Sequence, residues 1–413
     1  MALFTEEQAP VVYTDASTVS TGVDAAQWWL ETRLYHKALC FVLYFVAASA
    51  SFNGYYDKWH FREAGVSGAY GPAQFDMVVN GTASRPFVYR QMLPAIANWV
   101  DKVTPVSFKT RLYNPQGKGC EGILCTLFDS PVARNRQYFF RYLLVYVATF
   151  LFAWLAVYNM HLVCKALHTP TAAAVFAPII VILLFPYIQS VGGYSYDYPE
   201  LAFFALATWM ALKSDWWWIV PVAALGAWNK ESFLLFVPTL YPILRRRSSH
   251  RSALLGTGVM CIACVAVYFP VRLFFAKNPG GSVRLGVIEQ LSYLMHPNFL
   301  FFNVEKTYGL ILPRIFTVLP LAMLIWIVRR SWTHVPLIMR RHGRLAALIN
   351  LPLFILFCYP GELRDLSLLY MVFLVIVAGN VTELMNALSP IHDVTGAEVT
   401  GTRSEALSRY ASD

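Results

Sequence analysis

Apolar runs of roughly 15–25 residues recur from Tyr35 to near Val381, each long enough, or nearly so, to cross about 30 Å of hydrocarbon. The pattern predicts ten crossings, over 35–54, 138–162, 171–189, 199–212, 216–228, 232–244, 253–275, 309–328, 346–359 and 366–384. The implied fold class is all-α, a polytopic transmembrane helical protein. One transmembrane domain, 35–384, lies between a polar tail at 1–34 and another at 385–413. Trp216 to Leu244 reads either as one long helix interrupted at Asn229-Lys230-Glu231-Ser232 or as two short helices that turn there.

Charge chooses between these. Basic residues beside short loops mark the cytoplasmic side. Arg245, Arg246, Arg247 and Arg251 place one inner loop, and Arg329, Arg330, Arg340, Arg341 and Arg344 place another. If 216–244 crosses twice, Lys165 and Lys213 also fall inside and both tails are cytoplasmic. A single crossing reverses everything upstream, so two crossings agree with more of the charge pattern. Two large outer segments follow, 55–137 and 276–308, with three small outer turns.

Within the first outer segment, 87–103 (FVYRQMLPAIANWVDKV) spaces its apolar residues at helical intervals but is too short and polar to span. It is expected to lie along the membrane surface with Leu93, Ile96 and Trp99 among the headgroups. The tract from Leu285 to Phe302 has the same character.

Composition agrees. The chain is 57% hydrophobic and 14% charged, against roughly 25% charged for a soluble domain, which excludes an ordinary soluble enzyme. A net charge of +9 would suit nucleic acid, but the excess sits in clusters beside apolar runs, so the expected partner is the bilayer and not nucleic acid. Seven cysteines are scattered without CxxC or zinc spacing, so a Cys/His metal framework is not expected; no cofactor is specified, and a divalent metal stays open without a clear ligand motif. Cys120 and Cys125 alone are spaced for a short-loop disulfide on the outer side.

The unusual polar residues collect in the outer segments. Asp197 and Glu200, in YSYDYPE, stand at a helix N-terminus, where they read either as a capping box or as site residues. Asn229, Lys230 and Glu231 lie between two strongly apolar runs. Charge near membrane depth is costly unless paired or hydrated, so these residues are either a neutral Lys230–Glu231 pair at a turn or functional. Glu362 and Arg364, in GELRD, form a third outer turn, and a guanidinium there suits bidentate phosphate binding. Asp57 follows the first run within YYDKWHFRE, where aromatic neighbours would desolvate it toward general-base use; the alternative is an ordinary interfacial belt. Asp76 and Arg90 lie further along the same outer segment.

Several spans, a long first outer loop with an acidic residue just after the first span, surface helices in that loop and charged outer turns together resemble the GT-C fold of membrane glycosyltransferases. The segments RPFVYRQMLP, YDYPELAFFAL, WNKESFLLF and GELRDLSLLY are also similar to those of bacterial membrane proteins associated with surface polysaccharides. The resemblance implies a polyprenyl-phosphate-linked sugar donor, an acceptor on the outer, periplasmic face and residence in a bacterial inner membrane. It implies Asp57 as base, with Asp76 its rival, and Arg90, Lys230 and Arg364 as cations for the lipid phosphate. The adjacent acidic pair usual in the family is absent, since Lys58 and Trp59 follow Asp57. The alternative from another class is a transporter, flippase or polymerase component of polysaccharide assembly, with the same charges lining a path. A third is a non-enzymatic membrane partner.

Overall fold

The computed structural model describes residues 22–62, 74–113, 130–190, 192–281, 285–359 and 361–388. Cys120 and Cys125 lie outside these residues. Helix dominates, and five helical segments are long and apolar enough to cross a membrane: Leu34–Arg62, Phe139–Ala166, Thr171–Ile188, His250–Phe274 and Leu363–Leu388.

The first helix, α1 (Gly22–Trp59), runs past the expected boundary at residue 54. It buries Phe52, Tyr55 and Tyr56 on one side and leaves Asp57 exposed on the other. The chain leaves it through three successive left-handed residues, His60, Phe61 and Arg62, with φ of 41°, 52° and 65°. Each such residue costs about 1–2 kcal/mol. The turn seats Phe61 against Phe52, Tyr56, Phe75 and Tyr142.

Short helices α2 (Phe75–Val79), α3 (Met92–Val103), α4 (Val106–Tyr113) and α5 (Pro131–Arg134) follow. In α3 the periodicity divides as a surface helix requires, with one difference. Ile96 and Trp99 are exposed, but Leu93 is buried in the core, because the helix docks on the bundle with Met92, Leu93 and Ala97.

Next come α6 (Phe139–Ala166) and α7 (Thr171–Ile188), which carries Pro178 and Pro186 in its interior. A proline has no N–H, so each frees the carbonyl four residues earlier. Neighbouring helices satisfy both. Ser51 on α1 donates to the Ile182 carbonyl at 2.5 Å, and His161 Nδ1 on α6 lies 2.9 Å from the Ala174 carbonyl. This is how proline is accommodated in an apolar bundle.

After α8 (Asp197–Lys213), a short 3-10 turn leads into α9 (Ile219–Asn229). Lys230 is extended, with φ −157° and ψ 138°, and the chain then reverses through α10 (Ser232–Phe236) and α11 (Tyr241–Arg247). Trp216, Leu244 and Arg247 line one cavity, so both ends of the stretch lie at the same end of the bundle. Gly226 lies where the arms meet, because the Phe233 ring fills the space a Cβ would need.

Helix α12 (His250–Phe274), surface helices α13 (Val287–Met295) and α14 (Pro297–Phe301), and a two-stranded hairpin come next. Strands β1 (Val304–Thr307) and β2 (Leu310–Pro313) pair antiparallel, Val304 opposite Pro313. The expected segment 309–328 is therefore not helical throughout. Tyr308 and Gly309 are left-handed, with φ of 56° and 77°, the conformation of a tight hairpin turn. Helix α15 begins only at Val318 and ends at Ser331. Helix α16 (Leu337–Phe357) starts nine residues before the expected 346, and α17 (Tyr370–Leu388) follows a 3-10 segment, Leu363–Leu369.

Candidate functional site

The α9–α11 hairpin is short for its surroundings. Its first arm, 11 helical residues after a three-residue 3-10 turn, rises about 22 Å, against about 37 Å for the 25 residues of α12. Cys264 Sγ on α12 lies 3.3 Å from the Ala223 carbonyl, and the tip at Asn229–Ser232 therefore stops about 6 Å short of the far end of α12. Helix α8 begins beside this tip, since Asn229 Nδ2 donates to the Tyr196 carbonyl at 2.9 Å.

Beside this tip the fold brings together charged residues from four separate stretches of chain. Lys230 Nζ lies 2.8 Å from Glu200 Oε2 and 3.5 Å from Asp365 Oδ1. Glu200 Oε1 also accepts from Ser232 at 2.5 Å and Ser367 at 2.8 Å. Glu200 is therefore engaged away from its own helix, which corrects the capping-box alternative. Asp197 Oδ2 accepts from the Tyr194 N–H at 2.9 Å and from the Tyr55 hydroxyl at 3.1 Å. Its Oδ1 faces Arg364 Nη1 at 3.6 Å, and neither of these two buried atoms has a hydrogen-bond partner. Arg364 donates Nε–H to Glu362 Oε1 at 2.9 Å.

Glu231 turns the other way. Arg90 donates to it from Nε at 3.2 Å and Nη2 at 2.7 Å, and from Nη1 to the Tyr196 hydroxyl. The neutral Lys230–Glu231 pair is thus replaced by two crossed pairs, Lys230–Glu200 and Glu231–Arg90. Adjacent side chains diverge where the backbone is extended, and Lys230 is extended. Upstream of Arg90, the turn at Gly81–Ala83 is tied to Asn278, which donates to the Gly81 and Ala83 carbonyls at 2.8 and 2.9 Å.

The cations also lie over aromatic rings. The rings of Tyr194 and Tyr196 stack at 4.9 Å between centroids. Arg364 lies 4.6 Å from the Tyr194 centroid and Arg90 4.5 Å from that of Tyr196, contacts that strengthen when desolvated. Asp197 is 1% exposed, Glu200 3%, Lys230 4% and Arg364 5%.

Formal charge is unequal. Five carboxylates (Asp197, Glu200, Glu231, Glu362 and Asp365) face three cations, Arg90, Lys230 and Arg364, each with a carboxylate partner. Arg62 differs. Among the described residues it makes no ion pair; its guanidinium lies 5.8 Å from the centroids of both Trp59 and Tyr194. Gly192, at φ 77°, lies beside it, and its absent Cβ would stand 3.7 Å from Arg62 Nη1.

Electrostatics separates the carboxyls. Burial alone would raise that of Glu231, but the charge and hydrogen bonds of Arg90 outweigh it and hold it below the usual range. Glu362 goes the other way. Burial and the nearby Asp365 carboxylate push it up further than Arg364 pulls it down.

Of the residues singled out from sequence, Arg90, Asp197, Glu200, Asn229, Lys230, Glu231, Glu362 and Arg364 meet here. Asp57 and Asp76 do not. Asp57 is exposed on the reverse of α1, Asp76 is half-buried in α2, and neither pairs with a described residue. Sequence reasoning passed over Asp365, Ser232, Ser367 and Arg62. The first three stood beside flagged residues, whereas the left-handed turn that returns Arg62 to Tyr194 has no sequence signal, because it uses no glycine. Among the described residues no group of three or more His, Cys, Asp or Glu side chains is placed to hold a metal. No family model, curated protein or solved structure matches the chain.

Proposed function

We propose that this chain is a ten-crossing membrane protein with both tails cytoplasmic, and that its buried cluster transfers a sugar from a polyprenyl-phosphate-linked donor to a hydroxyl acceptor on the outer face of a bacterial inner membrane. One observation carries this reading: eight ionisable side chains from four chain segments are gathered in one cluster, six of them buried and Glu231 and Asp365 partly so. Charge kept at such depth is costly and marks a functional site by default. A cluster that includes Arg90, just ahead of amphipathic α3, suits a substrate whose lipid remains in the bilayer.

The chemistry follows the GT-C-like architecture, with its roles moved to the residues that converge. The acceptor oxygen attacks the anomeric carbon, the bond from that carbon to the phosphate oxygen breaks, and the acceptor proton passes to Glu362. Glu362, buried within the cluster beside Arg364 and with its carboxyl pushed up by burial and Asp365, takes the place expected of Asp57. Arg62, which makes no ion pair among the described residues, receives the charge on the departing lipid phosphate. Asp197 and Glu200 are placed to accept hydrogen bonds from sugar hydroxyls.

The test supplies membranes containing the protein with polyprenyl-phosphate sugars and a polysaccharide acceptor. Glu362→Gln and Arg62→Gln are expected to lower turnover by about 10²-fold or more, with Asp57→Asn near wild type. Turnover that survives both of the first two substitutions, or depends on Asp57 alone, would overturn these roles.

Transport is the second reading: the charges that four stretches of chain bring together would line a path instead of a reaction site. Movement of lipid-linked sugar across proteoliposomes without glycosyl transfer would select it.

A further inference from the structure

We propose that the end of the bundle opposite the charge cluster holds the headgroup of an anionic phospholipid. Three separate turns meet there: the α6–α7 turn, the end of α8 and the end of α11. The cationic side chains Lys213, Arg246 and Arg247 and the imidazole of His168 line one cavity of about 190 Å³, with Ala166, Leu212 and Ile243 lining its apolar part. No carboxylate lines it, in contrast to the acid-rich cluster at the other end.

Two details go beyond a general excess of positive charge. His168 is left-handed, with φ 58°, at the position after a helix where glycine is usual. The Thr169 N–H closes that turn onto the Cys164 carbonyl at 3.1 Å, which fixes the imidazole at the cavity rim. Arg247 donates Nη1–H to the Leu212 carbonyl at 3.2 Å, tying α11 to the end of α8 and leaving its other donors for a ligand. Arg247 also lines a second cavity, of about 260 Å³, with Ser214, Asp215, Trp216 and Trp217.

A cavity with cations at its mouth and aliphatic residues within fits a phosphate attached to something apolar. The depth agrees: Trp217 and Trp218 stack at 4.6 Å beside it and are more than half exposed, and exposed tryptophans collect at the headgroup level. Basic pockets between helices on the cytoplasmic side bind anionic headgroups. The assignment does not depend on glycosyl transfer.

The test reconstitutes the full chain in nanodiscs of phosphatidylcholine with or without phosphatidylglycerol and counts retained lipid by native mass spectrometry. Wild type is expected to retain phosphatidylglycerol selectively. Lys213→Gln/Arg246→Gln/Arg247→Gln is expected to bind it on the order of a hundredfold more weakly, each cation contributing about a factor of five. The charge-preserving Lys213→Arg/Arg246→Lys/Arg247→Lys is expected to retain most binding. Arg329→Gln/Arg341→Gln/Arg344→Gln removes three exposed cations outside the cavity and is expected to leave it unchanged. Equal losses in the two neutralised triples would overturn the proposal in favour of diffuse attraction. So would inorganic phosphate displacing the lipid at millimolar concentration, which would make the cavity a site for a soluble anion.

Discussion

Lys230 and Glu200 form a buried, hydrogen-bonded ion pair, each side chain 4% exposed. Removing one member of such a pair strands the other, at a cost of about 3–5 kcal/mol. Lys230→Met is therefore expected to lower thermal stability in detergent by that amount. Lys230→Met/Glu200→Gln is expected to recover part of it; a double variant as unstable as the sum of the single variants would show that the two are not coupled. Glu231 carries the pH dependence. Its folded pKa is depressed, so the stability gained from Arg90 is full above the ordinary carboxylate value of about 4.3 and is lost as pH falls through the folded value. The melting-temperature gap between wild type and Glu231→Gln should be wide at neutral pH and close on acidification below that range. A gap that widens instead would mean that Arg90 does not stabilise the charged carboxylate.

At the scale of elements, proline and hairpin geometry position the site. Pro186 removes a hydrogen bond from α7, and Ser51 answers the freed Ile182 carbonyl while lying 2.8 Å from the Tyr198 hydroxyl, one residue beyond Asp197. Ser51→Ala leaves that carbonyl buried and unpaired. The expected loss is about 1–3 kcal/mol, measured by thermal unfolding, with Ser51→Thr retaining more stability than Ser51→Ala if the hydroxyl is what matters. The prolines and the serine are all visible in sequence, but their pairing is not, because Ser51 and Ile182 are 131 residues apart. The hairpin was easier to read. Polar residues between two apolar runs marked its tip, and basic residues at Arg245–Arg247 favoured reversal over a single helix.

For the whole molecule, the reversal at Lys230 sets which face each loop occupies. Single cysteines introduced at Lys213 and Arg246 in a cysteine-free background should react with a membrane-impermeant maleimide from the same side, and one at Lys102 from the opposite side. Labelling of residues 213 and 246 from opposite faces would sink the paired-arm arrangement.

The sequence by itself determined that this is a chain of apolar helices, roughly where most of them lie, and most of the polar residues that converge, though not the hairpin at 304–313 or the early start of α16. Hydropathy and charge are properties of short segments, so they are legible in one dimension. Tertiary structure alone decided who partners whom. It took Glu200 away from its own helix end and gave it to Lys230, and it gave Glu231 to Arg90. It left Asp57 on the outer face of α1 because Phe52, Tyr55 and Tyr56 claim the inner one. It also returned Arg62 to Tyr194 through a left-handed turn fixed by the burial of Phe61. Each outcome depends on contacts between residues distant in sequence, and no local pattern encodes those.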